Sequence, residues 1–221
     1  MGEYTVDTDL ALDPASRKWR IRDNWIIRVS DIILSVLGLI ILSPLFGILV
    51  ILIKLESAGR AFFRQERVGM NGKIFRMYKF RSMCHNADRM PHQYRVNDKG
   101  IVEPVITMRN DNRVTRVGKY LRRYGLDEFP QLINILKGEM SFVGPRPPVP
   151  EEVKIYDAYQ RRRLAGTPGL TGLAQISGRT DLNFDQIVKY DIDYLKNRSI
   201  WLYIKILILT IPYFIIGRSS Y

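Results

Sequence analysis

Residues 32–53 read IILSVLGLIILSPLFGILVILI, an uncharged run of 22 residues. As a helix it reaches roughly 33 Å, long enough to cross a bilayer, and a soluble core needs no such run. It starts at residue 32, is longer than the apolar region of a cleavable signal peptide, and no small-residue cleavage site follows it. Ser43-Pro44 stands at its middle. Proline removes one amide and strains the carbonyl four residues back, at Ile40, so a bend is expected there. The Ser43 hydroxyl is placed to satisfy the freed backbone group. Arg17, Lys18, Arg20, Arg22 and Arg28 precede the run, and Lys54, Arg60, Arg64 and Arg67 follow it. Basic residues on both flanks give the positive-inside rule no preferred orientation. Two readings stay open on these residues: a kinked helix that spans the membrane, and a re-entrant helix that enters and leaves by one face.

The rest of the chain has the size of one domain. Its 221 residues are 46% hydrophobic and 11% aromatic, enough to bury a core and to exclude disorder throughout. Lys and Arg number 34 against 22 Asp and Glu, a net charge of +12, which points to anionic partners: phosphorylated small molecules, lipid headgroups or nucleic acid. The lone cysteine, Cys84, permits no intrachain disulfide and is read as an inert thiol. The organisation expected is a polar tail over 1–24, the membrane helix over 25–56 and a domain over 57–221. Within that domain, runs at 62–69 and 73–83 flank Asn71-Gly72, a hairpin signal. Residues 84–112 read as a long loop, 115–124 as a basic helix stopped by Gly125, and 127–138 as a helix whose Pro130 sits in its first turn. VGPRPPVP (143–150) reads as a stiff extended loop, 151–165 as one charged helix, 168–179 as a glycine-rich loop and 183–197 as a helix. The stretch 200–217 is apolar but carries Lys205, Pro212 and aromatics at Trp201, Tyr203 and Tyr213. It reads as a helix lying in the membrane interface, with a buried core helix as the alternative.

Asp127 and Glu128 are adjacent carboxylates at a helix start, with Arg122 and Arg123 just upstream. Free amides and arginines hold phosphate oxygens, while carboxylates bind a divalent cation or attack phosphorus. The plainer reading makes Asp127 an N-cap and Glu128 a first-turn residue favoured by the helix dipole. Arg146 is locked between Pro145 and Pro147, which suits a guanidinium that grips a phosphate or carboxylate, although an exposed linker arginine fits the same residues. Arg64, Arg67, Lys79 and Arg81 line an anion pocket or meet anionic headgroups. His85 and His92 lack metal-ligand spacing, and no GxxxxGK[ST], GxGxxG or GxSxG motif occurs. A non-catalytic basic protein that binds anionic lipid or nucleic acid remains the rival to an enzyme.

Together the Ser43-Pro44 break, FFRQERVGMNGKIFRMYKFRSM (62–83), NDNRVTRVG (110–118), RRYGLDEFPQLINILKGEMSFVGPRP (122–147) and PGLTGLAQISGR (168–179), followed by the D-x-x-Y of Asp191 and Tyr194, resemble the bacterial sugar transferase family. These are the monotopic phosphoglycosyl transferases that act on polyprenol phosphate. The resemblance implies a mostly helical α/β monotopic membrane protein: a re-entrant helix kinked at Ser43-Pro44, a small cytosolic catalytic domain with a β-hairpin, and interfacial amphipathic helices. It implies an enzyme on the cytoplasmic face of the bacterial inner membrane that transfers a sugar 1-phosphate from a UDP-sugar to undecaprenyl phosphate, releasing UMP. That would be the first membrane step of a surface glycan such as exopolysaccharide, capsule or O-antigen. By resemblance, Asp127 is the nucleophile that forms a phosphosugar ester, Glu128 is its partner, and Asp127 helps to hold Mg²⁺. Arg122, Arg146 and Lys79 are then phosphate-holding candidates, and Gln175 and Arg179 donor-binding ones. The partners implied are the UDP-sugar, the lipid acceptor and membrane lipid, and not nucleic acid; a dimer is one option for the oligomeric state. The chain departs from the family pattern at Ala58-Gly59-Arg60, where the family usually has proline-glycine-proline, and at Ala174, where many members carry tryptophan.

Overall fold

The computed structural model describes residues 14–87, 94–96, 102–104, 111–178 and 182–216. Helix α1 (Pro14–Glu56) runs through Pro44 as one element. The hydroxyl of Ser43 donates to the Ile40 carbonyl at 2.8 Å, the carbonyl that the missing proline amide leaves without its helical partner. The helix also extends back to Pro14, into the polar stretch that precedes the apolar run. Asn24–Glu56 is long and apolar enough to cross a membrane, and only 11% of its most apolar window is buried against the protein. Ile27, Asp31, Ser35, Leu49 and Ile53 form the stripe that packs inward, while Ile33, Ile40, Ile41, Ile48 and Leu55 face outward.

Strands β1 (Phe62–Val68) and β2 (Ile74–Phe80) make the antiparallel hairpin that Asn71-Gly72 predicts. Asn71 at φ 55° and Gly72 at φ 77° supply the left-handed turn conformations that other residues resist. Phe80 carries this hairpin onto the membrane helix, edge-on to Phe46 at 5.2 Å and within a cluster with Leu49, Ile53 and Leu121. The stretch read as a long loop contains a short hairpin, β3 (Tyr94–Val96) with β4 (Val102–Pro104).

Helix α2 (Arg116–Arg123) is capped by Thr115, whose hydroxyl accepts from Gly118 N, and Gly125 at φ 65° ends it. The helix expected over 127–138 is two pieces: a 3-10 segment, Leu126–Gln131, then α3 (Leu132–Lys137), stopped by Gly138 at φ 82°. Pro130 gives no amide to the ladder and crowds Phe129, so the first turns tighten. The charged helix expected over 151–165 is also broken, into α4 (Pro150–Lys154), α5 (Ala158–Arg161) and a 3-10 turn, Arg162–Ala165. A capping box between Asp157 and Gln160 restarts the chain there. The loop expected over 143–150 is extended and irregular from Gly144 to Val149, but just before it β5 (Ser141–Val143) pairs in parallel with β6 (Gly169–Thr171), which lies in the stretch read as a glycine-rich loop. A Cβ on Gly169 would lie 2.0 Å from Gly144 N, so the two backbones approach at a distance only glycine tolerates.

Short α6 (Leu173–Ile176) follows, then α7 (Phe184–Lys196), capped by Asn183, and α8 (Ile200–Ile216). Helix α8 combines the two readings of its sequence: Tyr203 and Ile206 are buried with Ile27, Val143 and Tyr194, while Trp201, Ile208 and Ile211 are exposed. Its bare side, like that of α1, is an apolar surface suited to lipid. The fold is thus mostly helical with small sheets around a membrane-seeking helix.

Candidate active site

Lys79 lies on β2, and the register of that strand is fixed from below by Asn134 of α3, which is fully buried. Asn134 Oδ1 accepts from Tyr78 N at 3.0 Å, and Nδ2 donates to the Arg76 carbonyl at 2.8 Å and to Glu139 Oε2 at 2.7 Å. A buried amide with its polar atoms used in this way specifies one alignment of strand on helix. The Lys79 ammonium then donates to Glu128 Oε1 at 2.9 Å.

Glu128 stands on the 3-10 segment, where side chains at i and i+3 eclipse. Glu128 and Gln131 therefore share one face, and Asp127 lies a third of a turn away. Asp127 is buried, at 9% exposure. Burial raises its pKa above 3.8; Lys79 and Arg122 pull it back down, and Glu128 pushes it up. Arg122 also acts on Asp127 through its charge and donates from Nε to Ser82 Oγ at 2.7 Å. Its helix is pressed against Ser82: a Cβ on Gly118 would fall 1.9 Å from the Ser82 carbonyl.

Arg146 comes from the opposite wall. Pro145, Pro147 and Pro148 have no amide hydrogen, so this loop cannot hold itself by backbone donation. Its carbonyls are held from outside instead. Pro145 O accepts from Gly169 N at 2.9 Å, Arg146 O from Arg163 Nη2 at 3.2 Å, Pro147 O from Arg67 Nη1 at 2.9 Å, and Pro148 O from Val68 N at 2.9 Å. Arg163 is itself 4% exposed and paired with Asp191 at 2.6 Å, with Tyr156 OH accepting from Nη1 at 3.0 Å. Burial pushes Asp191 up to about 6 although Arg163 pulls it down. Tyr194, one turn on from Asp191, donates to the Val143 carbonyl at 3.1 Å. The backbone around Arg146 is rigid, while its side chain is half exposed and ends 3.9 Å from Glu128 Oε1.

Between these walls is a narrow cleft that opens to solvent, lined among others by Arg67, Lys79, Arg146, Glu128, Gln131 and Leu170. Arg67 is depressed to about 10, first by burial and then by repulsion from Arg146, as expected where cations are crowded without enough anions. The arrangement suits an anion with several oxygens approaching a carboxylate, since the cations offset the repulsion.

Of the residues read from the sequence, Lys79, Glu128 and Arg146 line the cleft, while Asp127 and Arg122 stand behind it, coupled to it by charge. Gln175 does not line the cleft; it sits on α6 near Gly172 with both amide atoms buried and without partners. Arg179 lies outside the described residues. Arg67 had an anion pocket as only one of two readings, and Gln131, Asn134 and Arg163 were not singled out. Their signal is burial, which an arginine or amide in a polar stretch does not announce. Among the described residues no group of three or more His, Cys, Asp or Glu side chains converges. Asp127 and Glu128 are the carboxylate pair available to a metal here.

Residues 22–217 match the family model of the bacterial sugar transferases. The exopolysaccharide production protein ExoY of Sinorhizobium fredii is 42% identical over 197 residues, which is 88% of this chain and 87% of that protein. The undecaprenyl-phosphate galactose phosphotransferase of Salmonella typhimurium is 42% identical over 186 residues, 83% of this chain and 39% of that protein. The UDP-glucose:undecaprenyl-phosphate glucose-1-phosphate transferase of Escherichia coli is 38% identical over 203 residues, 88% of this chain and 41% of that protein. The chain thus spans most of the first relative and less than half of the other two.

Proposed function

The chain belongs to the bacterial sugar transferase family and is an enzyme of the phosphoglycosyl transferase class, and from that premise we propose that it moves a sugar 1-phosphate from a UDP-sugar to undecaprenyl phosphate with Asp127 as nucleophile. The observation that carries this reading is a buried carboxylate with Lys79 and Arg122 pulling its charge state toward the anion, beside a cleft walled by Arg67 and Arg146. In the first step an Asp127 carboxylate oxygen forms a bond to the sugar-bearing phosphorus. The bond from that phosphorus to the bridging oxygen breaks, and UMP leaves with the electron pair. In the second step an oxygen of the lipid phosphate attacks the same phosphorus, the aspartyl ester bond breaks, and the carboxylate returns as polyprenyl-diphospho-sugar departs. Lys79 holds Glu128 by an ion pair beside the reacting centre, and Arg146 and Arg67 face the phosphate oxygens. Mg²⁺, held by Asp127 with Glu128 near it, would supply positive charge between the anions; two protein carboxylates suit an ion that keeps water and substrate phosphates as its other ligands.

The topology proposed is a helix whose two flanks lie on the cytoplasmic face of the inner membrane. Near its start, Arg28 donates to the Ile135 and Leu136 carbonyls, and Asp31 accepts from Phe142 N and Tyr203 OH. At its end, Glu56 accepts from Arg116 N and Val117 N, while Arg81 donates to the Ser57 and Ala58 carbonyls. Arg28 and Glu56 are roughly 42 Å apart along a helix axis, more than the hydrocarbon thickness of about 30 Å. One folded polar domain touching both ends is hard to reconcile with ends on opposite sides of a bilayer. Release of UMP from UDP-sugar in the presence of polyprenol phosphate and Mg²⁺ tests the reaction, with Asp127→Asn as control. Turnover falling roughly 10³-fold or more in the variant is expected; equal turnover would overturn the assignment of the nucleophile.

A further inference from the structure

Gln131 is 3% exposed, lines the cleft, and makes no side-chain hydrogen bond to the described residues, unlike Asn134 one turn later. The eclipsed geometry of its 3-10 segment places it beside Glu128, on the face that looks toward Lys79 and Arg146. Its amide opens onto the cleft rather than onto a protein group, and a polar side chain held at a cleft wall without a protein partner is placed to take one from a ligand. The cations around it can only donate, which suits phosphate oxygens that can only accept. An amide also offers an acceptor, Oε1, for which phosphate has no proton to give. The complement is a group that both donates and accepts, and of the groups of that kind on a UDP-sugar the sugar hydroxyls lie nearest the phosphorus that Asp127 attacks.

We propose that Gln131 recognises the donor by hydrogen bonding a hydroxyl of the transferred sugar, while Arg67, Lys79 and Arg146 hold the phosphates. The inference rests on the reaction proposed above and adds a residue that reads the sugar. Gln131→Met keeps length and volume but cannot make the bond. In the full chain in detergent or nanodiscs, this variant should raise KM for the UDP-sugar about tenfold. KM for polyprenol phosphate and inhibition by UMP, which lacks the sugar, should be unchanged. The thermal midpoint should not fall, because no protein hydrogen bond is lost. Gln131→Glu, isosteric but anionic beside Glu128, should weaken UDP-sugar and UMP together, which reports that the position faces the anion. An unchanged donor KM in Gln131→Met would overturn the inference. So would an equal loss of UMP affinity in that variant, which moves the contact to the nucleotide, or a lowered midpoint with donor and acceptor parameters falling together, which makes the residue structural. Wild-type chain that releases no UMP from any UDP-sugar would overturn the proposed reaction and this inference with it; wild-type turnover with an unaffected Gln131→Met overturns the inference alone.

Discussion

Asp127 must be anionic to attack phosphorus, yet burial raises its pKa above 3.8 and leaves Lys79 and Arg122 to oppose that shift. The active form is therefore lost as pH falls through the raised pKa, and kcat/KM should decline on the acid side at a pH above the ordinary carboxylate range. Lys79→Met removes the strongest of the opposing charges, so the acid limb should move to higher pH; a limb that stays in place would show that Lys79 does not govern the carboxylate. The same variant leaves Glu128 without its 2.9 Å partner, so maximal turnover should also fall. The dyad and Arg146 were legible as motifs because adjacent carboxylates and a proline-locked arginine are local in sequence. Which of the two carboxylates lines the cleft was not legible, because that depends on a 3-10 turn in place of the α-helix expected.

At the scale of elements, the proline loop is held by groups from β1, β6 and the Arg162–Ala165 turn, and Arg163 is the buried one among them. Asp191→Asn strands that guanidinium and should cost about 3–5 kcal/mol of stability, measured by denaturant unfolding. The apolar pair Arg163→Met with Asp191→Leu should restore most of that loss, yet it leaves Arg146 O without its donor, so donor KM should rise in the pair although stability returns. Restored stability with an unchanged donor KM would show that the pair merely supports the fold. Sequence patterns reached the β1–β2 hairpin because Asn71-Gly72 and its strands are contiguous. They missed the β5–β6 pair because strands of three residues are too short to show alternation, and the close approach of Gly144 to Gly169 is made across the fold. The break in 151–165 was hidden for a different reason: Asp157 and Gln160 suit a charged helix surface as well as a cap.

For the whole molecule, the proposed arrangement sets an apolar face of α1 and α8 in lipid with a basic cleft next to it, where an acceptor phosphate can be reached without withdrawing its isoprenoid chain. Family membership removes the non-catalytic basic binder that the +12 charge alone would allow. In a Cys84→Ser background, Arg20→Cys and Arg60→Cys should both resist a membrane-impermeant maleimide in intact cells and both react in inside-out vesicles. Labelling of either in intact cells would contradict a helix with both flanks on one face. The covalent step on Asp127 is read out by intact-protein mass spectrometry. Chain incubated with UDP-sugar and Mg²⁺ but no lipid acceptor should gain the mass of one sugar phosphate, located by peptide mapping on Asp127 and lost on adding polyprenol phosphate. No added mass, or an adduct on Glu128, would rule out Asp127 as the covalent nucleophile.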